Sequence, residues 1–207
     1  MHKLTKSTMV AAAALTAALG LTAGSASASG TWTATPGGAW TAKATSPKLT
    51  DTSTGTQLSC SSSSATGTLG SGSGLSGTGI SSITSVGWTN CSGPFGITFS
   101  VTAGGLPWAL NAASYNASTG VTTGTISGVK AHISGAGCTA DFAGASSTST
   151  ATLTGTYTNS SHTLSLSGGN LHAYNVSGSC LGLLNTGDAA TYVANYVLAG
   201  SQTITSP

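Results

Sequence analysis

Apolar side chains fall at every second position along much of this chain, and that spacing confines those segments to β-strands. Trp40, Ala42 and Ala44 alternate with Thr41 and Lys43, and Ile97, Phe99 and Val101 alternate with Thr98, Ser100 and Thr102. Val129, Ala131 and Ile133 oppose Lys130 and His132; Leu153, Gly155 and Tyr157 oppose Thr152, Thr154 and Thr156. Leu164 and Leu166 stand between Thr163, Ser165 and Ser167. Successive strand side chains point to opposite faces, so a period of two gives each segment one dry and one wet face. The stretch 191–198 departs from this: Tyr192, Ala194, Tyr196 and Leu198 share one face while Val193 and Val197 make the other apolar, which predicts a strand covered twice.

Glycine and asparagine clusters separate these runs. Gly104-Gly105 supplies the positive φ angles of a hairpin and predicts one between 99–103 and 106–110. Asn159-Ser160-Ser161 and Gly168-Gly169-Asn170 bound further strands. Short links imply antiparallel neighbours, so the expected fold is all-β: a single antiparallel β-sandwich or closed β-barrel of about 8–10 strands. One stretch resists, because 61–79 is almost wholly Ser, Gly, Thr and Ala, with Leu69 and Leu75 its large apolar residues. It reads as an Ω-like excursion tethered by Cys60 and Cys91, or as two weak edge strands around 70–74.

Residues 1–28 have the form of a cleaved signal peptide: Lys3 and Lys6, an Ala/Leu-rich run over 9–23, then the small-x-small site Ala26-Ser27-Ala28. The apolar run is too short for a membrane span. A single secreted β domain over 29–207 is expected, extracellular or loosely cell-wall-associated. In that setting the four cysteines, Cys60, Cys91, Cys138 and Cys180, read as two disulfides. The pairing Cys60–Cys91 and Cys138–Cys180 is favoured because each pair brackets a run with its own strand and turn signals. There is no Cys-x-x-Cys, and His132, His162 and His172 show no ligand spacing, so neither a metal nor a cofactor is expected.

Charge narrows the partners. Beyond residue 28, Lys43, Lys48 and Lys130 balance Asp51, Asp141 and Asp188, with no Arg and no Glu. A neutral domain lacks the basic footprint from which nucleic-acid affinity comes.

The segments Trp88-Thr89-Asn90-Cys91, Leu106-Pro107-Trp108 and 120–125, together with Asn170-Leu171-His172, Cys180-Leu181-Gly182-Leu183 and Gly187-Asp188, give the chain a distinctive signature. It resembles an uncharacterised family of small secreted proteins of Streptomyces-like actinobacteria over essentially all of 29–207. The resemblance implies export and a Gram-positive bacterial origin, and it brings no activity with it. A five-residue likeness, Leu153-Thr154-Gly155-Thr156-Tyr157, is similar to a strand of streptavidin-type barrels, and no biotin site is carried over from it.

Catalysis is not expected. Three carboxylates allow at most one acid–base pair of the kind glycoside hydrolysis needs. A Ser-His-Asp set is available by inventory, but no Gly-x-Ser-x-Gly elbow occurs. His132 falls on a polar strand face, His162 next to a turn, and His172 shares a face with Tyr174 and Val176. Asp188 suits an Asx turn in Asn185-Thr186-Gly187-Asp188. The expectation is a non-enzymatic domain with a binding or structural role at or beyond the cell surface. Trp88 and Trp108, next to Gly, Pro or Cys punctuation, are the candidate ligand-binding residues for a cell-surface polysaccharide. The alternative is a carrier that holds a small hydrophobic ligand inside a barrel, with room left by Ala42, Ala44, Ala131, Gly155, Ala173 and Ala194. Self-association through exposed strand edges is a further possibility.

Overall fold

The structure is a computed structural model describing residues 31–135 and 137–207; the expected signal peptide lies outside the described residues. Fifteen strands are present among them. They are β1 (Trp32–Thr35), β2 (Gly38–Thr45), β3 (Lys48–Asp51), β4 (Gln57–Leu69), β5 (Gly72–Leu75), β6 (Ser81–Ser92), β7 (Thr98–Gly104) and β8 (Trp108–Asn116). There follow β9 (Val121–Gly135), β10 (Cys138–Ala143), β11 (Ala151–Thr158), β12 (Thr163–Gly169), β13 (Leu171–Gly178), β14 (Ala189–Ala199) and β15 (Thr203–Thr205). No helix among the described residues is long and apolar enough to cross a membrane.

The main sheet closes on itself, and every pairing in it is antiparallel. One half of the barrel runs β2-β4-β6-β8-β9-β11-β12-β14 and returns to β2. The other half runs β3-β4-β6-β7-β9-β10-β13-β14 and returns to β3. The long strands β4, β6, β9 and β14 pass through both halves, and each remaining position is shared by two short strands placed end to end. Eight strand positions give a barrel whose interior side chains can fill. Strands β15, β1 and β5 form a separate small sheet. It closes the β2/β8/β11 end through buried Trp32 and Ile204, the latter's carbonyl accepting from Asn159 Nδ2 at 2.9 Å.

Alternation decides what enters the core. Trp40, Ala42 and Ala44 point inward from β2, Leu164 and Leu166 from β12, and Tyr192, Ala194 and Tyr196 from β14. Both disulfides form as expected, Cys60–Cys91 and Cys138–Cys180. The first joins directly opposed residues of β4 and β6. The second ties the start of β10 to the segment 179–188, which lies over the β3/β7/β10/β13 end of the barrel.

Three expectations are corrected. The Gly104-Gly105 break does not reverse the chain: β7 and β8 both run antiparallel to β6 and to β9, so they are one strand position interrupted in line. Pro107 has no N–H for the ladder and Gly105 sits at φ 70°, which breaks pairing without turning the strand back. The stretch 61–69 is no excursion but the body of β4, paired on both sides with β2 and β6; only 72–75 behaves as a short edge strand, β5. Finally, β14 is covered on one face alone, since Val193 and Val197 are 47% and 54% exposed.

Candidate functional site

Both tryptophans singled out in the sequence belong to the barrel interior. Trp108 is 4% exposed and donates its indole N–H to the Gly104 carbonyl at 2.8 Å, so it presents no stacking face to solvent. Trp88 is partly buried and packs edge-on to Tyr192, with ring centroids 6.4 Å apart. Its N–H starts a directed chain of hydrogen bonds: to Tyr192 OH at 2.9 Å, on to Tyr196 OH at 2.9 Å, to Ser63 Oγ at 2.7 Å, and finally to the Gly87 carbonyl at 2.8 Å. Because Ser63 uses its proton on Gly87, each hydroxyl upstream donates toward Ser63 and accepts from behind. The chain ends one residue from where it began.

This chain is a structural device. Burial pushes the phenol groups of Tyr192 and Tyr196 above the ordinary tyrosine range, so both stay protonated and neither is a base at neutral pH. Burial likewise pushes Tyr157 up to about 12, and its hydroxyl donates to the Gln202 carbonyl at 2.7 Å. Replacing Tyr196 by Phe removes the acceptor for Tyr192 and the donor to Ser63. That variant should lose about 1–3 kcal/mol, read from the urea midpoint. Tyr192→Phe combined with Tyr196→Phe should cost less than the two single losses added, because both break one chain.

The interior has little spare volume. The rings of Trp40, Trp88, Trp108, Phe142, Tyr192 and Tyr196 occupy the space that the small strand residues leave, and the central cavity measures about 70 Å³. A second cavity of about 60 Å³ lies beneath 179–188, lined by Leu49, Phe99, Phe142, Leu183 and Leu184 among others.

The ionisable side chains form two groups. On the outer surface His132 Nδ1 lies 2.7 Å from Asp141 Oδ1, and Asn175 Nδ2 donates to Asp141 Oδ2 at 2.7 Å. The hydrogen bonds from Asn175 and His132 hold the Asp141 carboxyl below its usual range. Among the described residues no serine hydroxyl bonds to the His132 ring, so the available inventory is not assembled into a Ser-His-Asp set. His162 and His172 each use Nδ1 on a backbone carbonyl, Gln202 and Asn170 respectively, both at 3.2 Å. The second group is Asp51 with Asp188, brought onto adjacent turns by the β3–β14 ladder, in which Asp51 pairs with Ala190. Asp51 is only 3% exposed, which closes its carboxyl to a substrate in this arrangement.

No family model, curated protein or solved structure matches the chain.

Sequence reasoning missed the most exposed features of the barrel end that bears 179–188. Phe95 is 88% exposed and Leu181 is 66% exposed. Both adopt the left-handed backbone region, at φ 59° and 55°, which disfavours any residue with a Cβ. Phe95 follows Pro94, which together with Thr54, Gly55, Thr56, Gln57, Ser59, Ser92 and Gly93 lines a shallow, wide-open groove. The groove offers hydroxyls and one amide, with no charge. The usable signal was Gly93-Pro94-Phe95-Gly96, an aromatic residue set among turn formers with no strand to belong to.

Proposed function

We propose that this protein is a secreted, non-enzymatic binding domain that engages a neutral saccharide chain at its loop-bearing end, at or beyond the cell surface. One observation carries the reading: an exposed Phe95 ring held in a strained turn, next in sequence to Pro94, which belongs to an uncharged, hydroxyl-bearing open surface. Folding gains nothing from an apolar ring in water on a disfavoured backbone, and such outliers concentrate at functional sites. Sugar rings offer apolar faces to aromatic side chains and hydroxyls to Thr, Ser and Gln. Two disulfides suit an oxidising compartment.

Other roles receive less support. A carrier needs a pocket of roughly 300–1,000 Å³, against a central cavity of about 70 Å³ here. Edge-to-edge assembly needs free strand edges, and barrel closure removes them from the main sheet.

The test is retention on insoluble cellulose, chitin and α-glucan. Parent protein should bind at least one of them, and Phe95→Gly should weaken that binding at least tenfold. Glycine tolerates the left-handed turn, so this variant should melt no lower than the parent. Absence of retention on all three, or undiminished binding by Phe95→Gly, overturns the proposal.

A further inference from the structure

Two of the three acidic residues in the chain meet at one place. Asp51 closes β3, and its Oδ1 accepts from the amides of Ser53 at 2.8 Å and Thr54 at 3.0 Å. Its other oxygen, Oδ2, is sealed from solvent and has no hydrogen-bond partner among the described residues, in a residue only 3% exposed. Asp188 arrives from the 179–188 segment just ahead of β14. Thr52 N and Oγ1 both donate to the Ala189 carbonyl, at 2.8 and 2.9 Å, and Ala190 pairs with Asp51 in the β3–β14 ladder. Asp188 Oδ2 accepts from Asn185 N at 2.8 Å and Asn185 Nδ2 at 3.0 Å. Its carboxyl also faces the Asp51 and Ser53 side chains.

A buried carboxylate oxygen without a donor is expensive, and a second carboxylate facing it adds like-charge repulsion. A cation between the two removes both penalties. The donors are all oxygens, and no group of three His, Cys, Asp or Glu occurs among the described residues, which disfavours zinc and other transition metals. Irregular oxygen sets completed by water suit calcium better than the strict octahedron of magnesium.

We infer that Asp51 and Asp188, with the Ser53 hydroxyl and water, hold a calcium ion between the turn after β3 and the turn before β14. Two carboxylates among neutral ligands place its affinity in the range of about 10⁻⁴–10⁻³ M, typical of extracellular modules. The ion fastens 179–188 to the β3–β4 turn, a junction also made by Thr54 Oγ1 donating to the Leu183 carbonyl at 2.9 Å. This inference is independent of the saccharide reading.

The experiment compares melting temperatures of chelator-treated protein in EDTA and in 10 mM CaCl₂, alongside a titration with calcium alone by calorimetry. Calcium should raise the melting temperature by about 5 °C and titrate as a single site. Asp51→Asn alters a core side chain, so the decisive variant is Asp188→Asn, whose side chain is only partly buried and whose fold is expected to persist. It should lose both the thermal shift and the calorimetric binding. A parent protein indifferent to 10 mM calcium overturns the inference. An equal calcium shift in Asp188→Asn overturns it too, by placing the ion elsewhere.

Discussion

Adding one methyl group at Gly67 should destabilise this protein by about 3 kcal/mol, at the upper end of what overpacking costs. Gly67 lies opposite Trp40 in the β2–β4 register. A Cβ there would come under 3.0 Å from both the Ser82 carbonyl oxygen and the Trp40 ring. The ring is itself pinned, since its N–H donates to Ser81 Oγ at 2.9 Å and Ser81 donates onward to the Thr68 carbonyl at 2.9 Å. Trp40 cannot swing aside without breaking that link, so strands β4 and β6 must separate. Trp40→Ala should cost about 3–5 kcal/mol from lost burial and the cavity left behind. The double variant separates the two obstacles. Removing the ring relieves one of the two clashes, so the combined loss should fall at least about 1 kcal/mol short of the sum; the Ser82 carbonyl remains, so relief is incomplete. Urea midpoints at an unchanged slope check all three values. A Gly67→Ala loss under about 1 kcal/mol would mean the ladder yields there and that the pairing with Trp40 is permissive.

That pair also explains why one central strand was illegible. An inward residue is recognised from sequence when it is large and apolar, as Leu153 and Tyr157 are in β11. In β4 the inward positions include Ser63, Ala65 and Gly67, because the rings of Tyr196 and Trp40 reach across into their space. Smallness in one strand answers bulk in another more than a hundred residues away in the case of Ser63 and Tyr196, and no local window contains both. The in-line break at Gly104-Gly105 was illegible for a related reason. Those glycines carry the chemistry of a reversal, yet whether the chain turns back depends on which long strand is already alongside. β6 and β9 are long enough to pair with both β7 and β8, so the glycines interrupt and do not reverse. Local chemistry sufficed where the partner was also local: Asn159-Ser160-Ser161 does join β11 to β12 as a hairpin. Each disulfide likewise closes a segment the sequence had already marked off. The candidate site was poorly legible because Phe95 is informative only through its exposure. Asp51 matters only through an orphaned oxygen and a partner at 188. Both are properties of assembled loops.

The two disulfides should prove unequal in their effect on stability, although loop length alone says otherwise. They close segments of 31 and 42 residues, and at these lengths the chain-entropy account assigns each about 3–4 kcal/mol. Together that is a large share of the roughly 5–15 kcal/mol that holds a domain folded. The account assumes that the native state stays equally ordered once the link is cut. For Cys60→Ser/Cys91→Ser this holds, because β4 and β6 remain paired along both flanks of the missing bond. That variant should lose the full amount. Cys138→Ser/Cys180→Ser is different, because Cys180 belongs to 179–188, a segment with no strand of its own that rests on the barrel end through Leu183 and Leu184. Freed from β10, it can lift while the barrel stays closed, and the disorder gained by the folded state offsets part of the loss. About half the stability decrease is therefore expected from the second pair. It should be accompanied by a selective fall in hydrogen-exchange protection over 183–188, a local opening of the kind that leaves global unfolding untouched. Equal losses with unchanged protection would show that 179–188 is held by its own packing. Cover over the second cavity would then be a property of the loop, with the disulfide securing only the unfolded chain.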